Sequence, residues 1–148
     1  MHSKSGSEGF TLVELMIAIA LIALIAGFAV PQFGRIIDNN RVVSTSNSIV
    51  GLLNYSRSEA VRRGERVAAT SASNTMQATV VSSGNVIRQI EEASGDLSIS
   101  TGSVTFRANG LTTSTANVSF NVCAGDADGT SVTVTPGGRV STADVTCP

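Results

Sequence analysis

Hydrophobic and polar positions change rhythm three times along this chain, and each rhythm predicts a different element. From Phe10 through Gly34 the only charged side chain is Glu14, and the apolar run is long enough to cross a bilayer as a helix of roughly 20 residues or more. After Pro31 the apolar residues space themselves by three and four. Val42, Ile49, Leu52, Leu53, Ser56 and Ala60 fall on one helical face, with Arg57, Glu59 and Arg63 mostly off that stripe. Glu59 and Arg63 stand at i,i+4 in the favourable polarity, and Gly64 is placed to end the helix. One helix from about Phe10 to Arg63 is therefore expected. Beyond Gly64 the period becomes two: Val67–Thr70, Gln77–Val81, Val86–Ile90, Leu97 with Ile99, Val104 with Phe106, Val118/Phe120/Val122, and Val132 with Val134 read as strands. Ser83-Gly84-Asn85 reads as a hairpin link, and Asn109-Gly110 and Pro136-Gly137-Gly138 as turns. The expected fold is α+β: a long N-terminal helix, transmembrane then amphipathic, packed on one antiparallel sheet with a single buried face.

Two positions interrupt the apolar helix. Pro31 removes a helical hydrogen bond and crowds the preceding turn, and Gly27 lowers helix propensity four residues earlier. A kink or a locally melted turn between Gly27 and Pro31 is expected. Glu14 needs a reason to sit in an apolar helix. Near the interface it costs less than at the bilayer centre, and in a first turn the helix dipole favours it. The residues before Phe10 are only weakly basic, Lys4 being offset by Glu8, so the segment departs from an ordinary secretory signal. A cut after Ala29 and an uncleaved anchor both stay open on the residues alone. Orientation is not set by charge, because Arg35 and Arg41 compete with Lys4.

Composition narrows the chemistry more than the fold. The 148 residues carry a formal net charge of −1, which gives no prior for a polyanion partner. Ser, Thr, Val and Gly dominate the region after Gly64, with no Trp and one Tyr, a composition suited to short twisted strands. Cys123 and Cys147 are the only cysteines. Following a membrane segment they suggest a disulfide in an oxidising compartment, worth roughly 3 to 4 kcal/mol in the chain-entropy model; two free thiols are the alternative. The only histidine is His2, so a chain lacking its first residues has no Ser-His or Cys-His nucleophile and no His-rich metal site. Asp126-Ala127-Asp128-Gly129 begins like a calcium loop but lacks the completing glutamate, and reads as a solvated turn. No cofactor, metal or catalytic residue is expected, and the chain does not read as an enzyme.

Gly9-Phe10-Thr11-Leu12-Val13-Glu14, followed by Leu15-Met16-Ile17 and Pro31, resembles the class III signal and N-terminal helix of type IV pilins and pseudopilins. The resemblance implies cleavage by a prepilin peptidase between Gly9 and Phe10, methylation of the new Phe10 amine, and a docking role for Glu14 in filament assembly. It also implies that the Gly27–Pro31 region unwinds on entering a filament. The corresponding segments are a leader over residues 1–9, a transmembrane and filament-core half over 10–34, and a soluble domain over 35–148 that includes the amphipathic half of the helix. A second resemblance rests on Leu53-Asn54-Tyr55-Ser56-Arg57-Ser58-Glu59-Ala60-Val61-Arg62-Arg63, on Val104-Thr105-Phe106-Arg107-Ala108-Asn109-Gly110 and on Gly138-Arg139-Val140. These are similar to the FimT- and FimU-like minor pilins, FimU most of all, and to the H-type (GspH) minor pseudopilin of type II secretion. The Arg-Ser-Glu-Ala element reads as helix surface with Ala60 turned inward.

The implied function is a minor pilin that primes assembly at the tip of a type IV pilus, with an H-type pseudopilin as the alternative. Implied partners are other major and minor pilins or pseudopilins, the prepilin peptidase and an inner-membrane assembly platform. The implied location is the bacterial inner membrane with a periplasmic domain, then the pilus or pseudopilus. A further alternative is a DNA-binding minor pilin of natural transformation, for which Arg62, Arg63, Arg66 and Arg139 are the candidate contacts. Against it, Glu59 and Glu65 interleave with the arginines, and Gly138-Arg139-Val140-Ser141 lacks the second arginine of the Gly-Arg-x-Arg element that the family's DNA binders imply.

Overall fold

The computed structural model describes residues 10–90, 95–125 and 128–147, and for residues 28–32 the backbone alone. Helix α1 spans Leu12–Arg63, 52 residues, and eight strands follow. The chain divides into two compact units, 1–34 and 35–148, and each is described by itself. In the first unit α1 is assigned as helix without interruption across Gly27 and Pro31. No melted turn breaks the isolated chain there. A proline costs the one bond its missing N–H would have made, and the neighbouring turns can carry the helix past it.

The second unit begins within α1 and continues into β1 (Val67–Ala72), β2 (Thr75–Val80), β3 (Val86–Ile90), β4 (Leu97–Ile99), β5 (Gly102–Phe106), β6 (Val118–Ala124), β7 (Gly129–Val134) and β8 (Val140–Val145). Gly64, at φ 68°, closes the helix in the left-handed conformation that glycine adopts without a Cβ penalty. The strands form two four-stranded antiparallel sheets, ordered β3-β2-β1-β5 and β4-β6-β7-β8. This corrects the expectation of one sheet. Alternation tells which side chains face inward and says nothing about which strands share a ladder. The chain crosses between sheets at β3–β4, β4–β5 and β5–β6, so β5 returns to pair with β1, Val67 opposite Phe106.

Local chemistry explains the hairpins. β1 and β2 are joined by Ser73 and Asn74, both at positive φ (50° and 59°), the twist that a two-residue hairpin turn requires. The Asn74 Oδ1 accepts a bond from the Ile99 N–H at 3.1 Å, so this turn of one sheet also ties the first strand of the other. Sheet β4-β6-β7-β8 ends in the β7–β8 hairpin, where Thr135 and Arg139 are bonded through the backbone at 3.0 Å across Pro136-Gly137-Gly138.

A single core joins helix and both sheets. Val42, Ile49, Leu52, Leu53 and Ala60 from α1 pack with Val67, Met76, Val104 and Phe106 of one sheet and with Ile99, Phe120, Val122, Val132 and Val134 of the other. Phe106 and Phe120 are the largest of the fully buried side chains. Every one of these residues belongs to the second unit.

Candidate functional site

Two regions gather the residues that the sequence singles out: the start of α1, and the end of α1 where two loops meet it.

At the start, Thr11 and Glu14 form a reciprocal cap. The Glu14 N–H donates to the Thr11 Oγ1 at 3.2 Å, while the Thr11 N–H and hydroxyl donate to the Glu14 Oε2 at 3.1 and 3.0 Å. This is a capping box: each side chain satisfies a backbone donor that a helix start leaves without a partner. Thr11-Leu12-Val13-Glu14 carries the signature for it, which attention to Glu14 as a lone charge passes over. Both bonds from Thr11 end on one carboxylate oxygen, so the cap orients the carboxyl group at the helix N-terminus beside Phe10. Gly9 and the residues before it lie outside the described residues. Leu12, Val13, Leu15, Met16, Ile17 and Ile19 are all more than half exposed, and Phe10 is 86% exposed. A helix apolar on every side needs lipid or other helices around it. Among the described residues no helical stretch is long and apolar enough to cross a membrane.

At the other end of α1, Glu59 was expected off the buried stripe, and the structure corrects this. Glu59 is 6% exposed. It lies at the stripe's rim, where Arg62 and Arg63 fold over it: Arg62 Nη2 donates to Oε2 at 2.6 Å and Nε to Oε1 at 2.8 Å, and Arg63 Nε donates to Oε2 at 2.7 Å. The hydrogen bonds from Arg62 and then Arg63 hold the Glu59 carboxyl well below its ordinary range, at about 2. Two of the four candidate DNA contacts are thus committed to an internal carboxylate. Arg66 and Arg139 are exposed, and Arg66 lines a shallow opening with Arg107.

Arg57 explains why the three signature segments occur together. Its Nε donates to the Gly110 carbonyl at 3.0 Å, and Gly138 packs against that same carbonyl and the Arg57 side chain. A Cβ on Gly138 would collide with the Gly110 oxygen and stand 3.1 Å from the Arg57 Nε, and both Gly110 and Gly138 have φ 77°. The Thr112 N–H adds a bond to the Pro136 carbonyl at 3.0 Å. The Arg-Ser-Glu-Ala element, Asn109-Gly110 and Gly138-Arg139 therefore form one clasp. Ala60 is fully buried beneath it.

Cys123 and Cys147 are joined, 24 residues apart in sequence, with Cα atoms 5.9 Å apart. The bridge links β6 to the residues after β8 and lies directly over Gly129 at the start of β7. A Cβ there would meet both sulfurs, so Gly129 is small because the disulfide rests on it. Asp126 lies outside the described residues. Beside the bridge a cleft of about 480 Å³ is lined by Asp96, Ser98, Ser100, Thr101, Asn121 and Thr146 among others, without a nucleophile beside a base. Among the described residues no cluster of His, Cys, Asp or Glu is placed to hold a metal.

A family model of the type II transport protein GspH matches residues 45–138, the span that holds Arg57, Gly110 and Gly138. This chain belongs to the GspH family. The prokaryotic N-terminal methylation motif matches residues 4–30, which includes Gly9, Phe10 and Glu14. Two crystal forms of the type IV minor pilin FimU of Pseudomonas aeruginosa share the fold. One aligns with TM-score 0.62 at 20% identity over 70% of this chain and 89% of FimU, the other with 0.57 at 20% over 68% and 90%. Several forms of the type IV major fimbrial protein FimA of Dichelobacter nodosus are 46% identical over 39 residues, 26% of this chain. The match spans about a quarter of those relatives' length. The GspH-family chain thus has the type IV pilin fold and the methylation motif of pilus and pseudopilus subunits, a class of structural proteins.

Proposed function

We propose that this GspH-family chain is a minor pilin, a non-enzymatic subunit that primes assembly at or near the tip of a type IV pilus. In this reading the prepilin peptidase cuts between Gly9 and Phe10 and the Phe10 amine is methylated. The 10–34 half holds the subunit in the inner membrane with the 35–148 domain in the periplasm, until the assembly platform moves it into the filament. The observation that carries the proposal is the methylation motif on Gly9, Phe10 and Glu14, set at the head of an apolar helix whose side chains are exposed in the isolated chain.

The chemistry is consistent at each step. Cleavage frees an α-amine on Phe10, and a neighbour's free amine is a charge that the Glu14 carboxylate can pair with, offsetting its desolvation once lipid is left behind. The Thr11 cap holds that carboxylate at the helix start. Gly27 and Pro31 weaken the helix where a filament would require it to yield.

The family match to a type II transport protein favours one further reading, an H-type subunit of a secretion pseudopilus. A clean deletion separates the two: loss of surface pili with normal exoprotein secretion supports the pilus, and the converse supports the pseudopilus. A deletion strain with normal pili and normal secretion rejects both. In the affected strain, a Glu14→Val copy is expected to be processed normally and fail to restore filaments. Full restoration removes the docking role. DNA uptake is the reading least favoured, because Arg62 and Arg63 are paired to Glu59, and a gel shift of the full chain at physiological salt is expected to be negative.

A further inference from the structure

Four strands form the edges of the two sheets, β3 and β5 of one and β4 and β8 of the other. Three of them are closed to further pairing. β4 has only three residues, and the Asn74 side chain takes its Ile99 N–H. β5 is covered by the loop that follows it: the Thr113 N–H donates to the Thr105 carbonyl at 2.9 Å, and Thr112 bridges to Phe106. β3 pairs with β2 through a shifted register and carries Arg88, whose guanidinium lies over the Tyr55 ring at 5.2 Å. Short length, cover, bulges and charge are the devices that keep an edge from recruiting another strand.

β8 lacks the first three. Its six residues, Val140–Val145, pair with β7 in one unbroken register. An edge strand leaves alternate N–H and C=O groups unpaired, and among the described residues no loop backbone bonds to those of β8. Its core-facing side is left uncovered as well. Thr142 lies opposite the buried Val132, and Asp144 opposite Thr130, so both stand on the core side of the sheet. Both are nevertheless exposed. Between them and α1 is a slot of about 280 Å³, lined by Val43, Ser46, Asn47, Thr130, Thr142 and Asp144. Ser46 is 3% exposed and its Oγ makes no hydrogen bond, a desolvation cost with nothing to offset it. The ion pairs among the described residues all lie elsewhere, which leaves Asp144, and Asp128 at the opening they share, without a base. Arg41 is turned to Asp38 at 3.6 Å, and Arg35 stands about 12 Å before Val43 along the helix.

We propose that β8 and this slot receive an extended segment of a different polypeptide, which adds as a further strand to sheet β4-β6-β7-β8. Its backbone pairs with the open edge, and its alternate side chains enter the slot: a small or apolar one against Val43, and a lysine or arginine on Asp144. In strand addition of this kind main-chain bonds hold the segment and side-chain pockets select it. The basic residue follows from charge, because Asp144 and Asp128 repel an acidic strand and attract a basic one. A second copy does not supply that residue. Two β8 strands paired antiparallel keep their core-facing positions on one side, and in β8 these are Val140, Thr142 and Asp144. Arg139, just before the strand, belongs by parity to the other face. The contact is therefore made with another chain, and it ends there. It is separate from Glu14 and independent of the choice between pilus and pseudopilus.

The test uses the full-length protein in detergent micelles and three fluorescent peptides of alternating threonine and valine, with lysine, serine or glutamate at the centre. The lysine peptide is expected to bind, read by anisotropy, and to bind roughly tenfold more tightly than the glutamate peptide. Methylating the backbone nitrogens along one edge of that peptide is expected to abolish binding, because strand addition needs those donors. On binding, amide hydrogen exchange should slow at Val140–Val145. Asp144→Lys is expected to reverse the preference toward glutamate, and the milder Asp144→Asn to erase the preference for lysine over serine, both at an unchanged melting temperature. No binding of the lysine peptide at millimolar concentration, binding that survives methylation of either edge, or a preference that both Asp144 variants leave unchanged overturns the proposal. Dimerisation of the wild type, with exchange at Val140–Val145 already slowed in the absence of peptide, assigns the edge to a second copy and overturns it too. Each of these results leaves the deletion phenotype untouched, so the subunit reading and the strand-addition reading fail separately.

Discussion

Gly138 has no side chain because the Gly110 carbonyl and the Arg57 guanidinium occupy the place where one would go. Its φ of 77° adds a second reason, since a left-handed residue with a Cβ is strained. Gly138→Ala is expected to cost about 2 kcal/mol or more, read as a lower denaturant midpoint with unchanged slope; an unchanged midpoint would mean that the clasp is not closed in solution. Glu59 makes a different kind of prediction. Its folded carboxyl is held at about 2 against an ordinary value of 4.5, by Arg62 first and Arg63 second. The unfolded chain therefore takes up this proton first as pH falls. The stabilisation is complete above about pH 4.5 and is lost on descending toward 2. Denaturant midpoints at pH 6 and pH 3 should fall further apart for the wild type than for Glu59→Gln, and equal intervals contradict the pairing. The burial of Glu59 was not legible in the sequence, because a carboxylate at the rim of an apolar stripe becomes coverable only when two arginines one turn on neutralise it. The Thr11–Glu14 cap was missed, although Thr-x-x-Glu carries its signature.

Among the elements, α1 and seven of the eight strands were readable from periodicity, with ends shifted by up to three residues; β8 (Val140–Val145), whose exposed side chains show no alternation, was not. The Ser73-Asn74 turn lacks the glycine that usually announces a two-residue hairpin. The partition into two sheets was not readable. Pairing of β5 with β1 and of β4 with β6 is decided by the shared core around Phe106 and Phe120, and no local pattern encodes it. The disulfide was anticipated from two cysteines after an apolar helix, but its seat on Gly129 was not, since a glycine after Asp-Ala-Asp reads equally well as a turn. Cys147→Ser is expected to lower stability by about 3 kcal/mol. Heating the reduced and oxidised proteins side by side measures it, and coincident melting curves would mean that the bridge is not formed.

For the whole molecule, the division at Gly34/Arg35 separates two kinds of surface. The 35–148 unit buries its own apolar residues, and no active centre is assembled among its described residues. The apolar start of α1 leaves its side chains exposed and carries the capped Glu14. On the proposed reading such a chain acts by being placed among other subunits, and that placement depends on the cut between Gly9 and Phe10. The most direct measurement is the intact mass and N-terminal sequence of the chain recovered from the sheared filament fraction. The account predicts a chain that begins at N-methylated Phe10, with one disulfide. A chain that begins at Met1 or at Val30, or that is absent from filaments while present in the membrane, contradicts it.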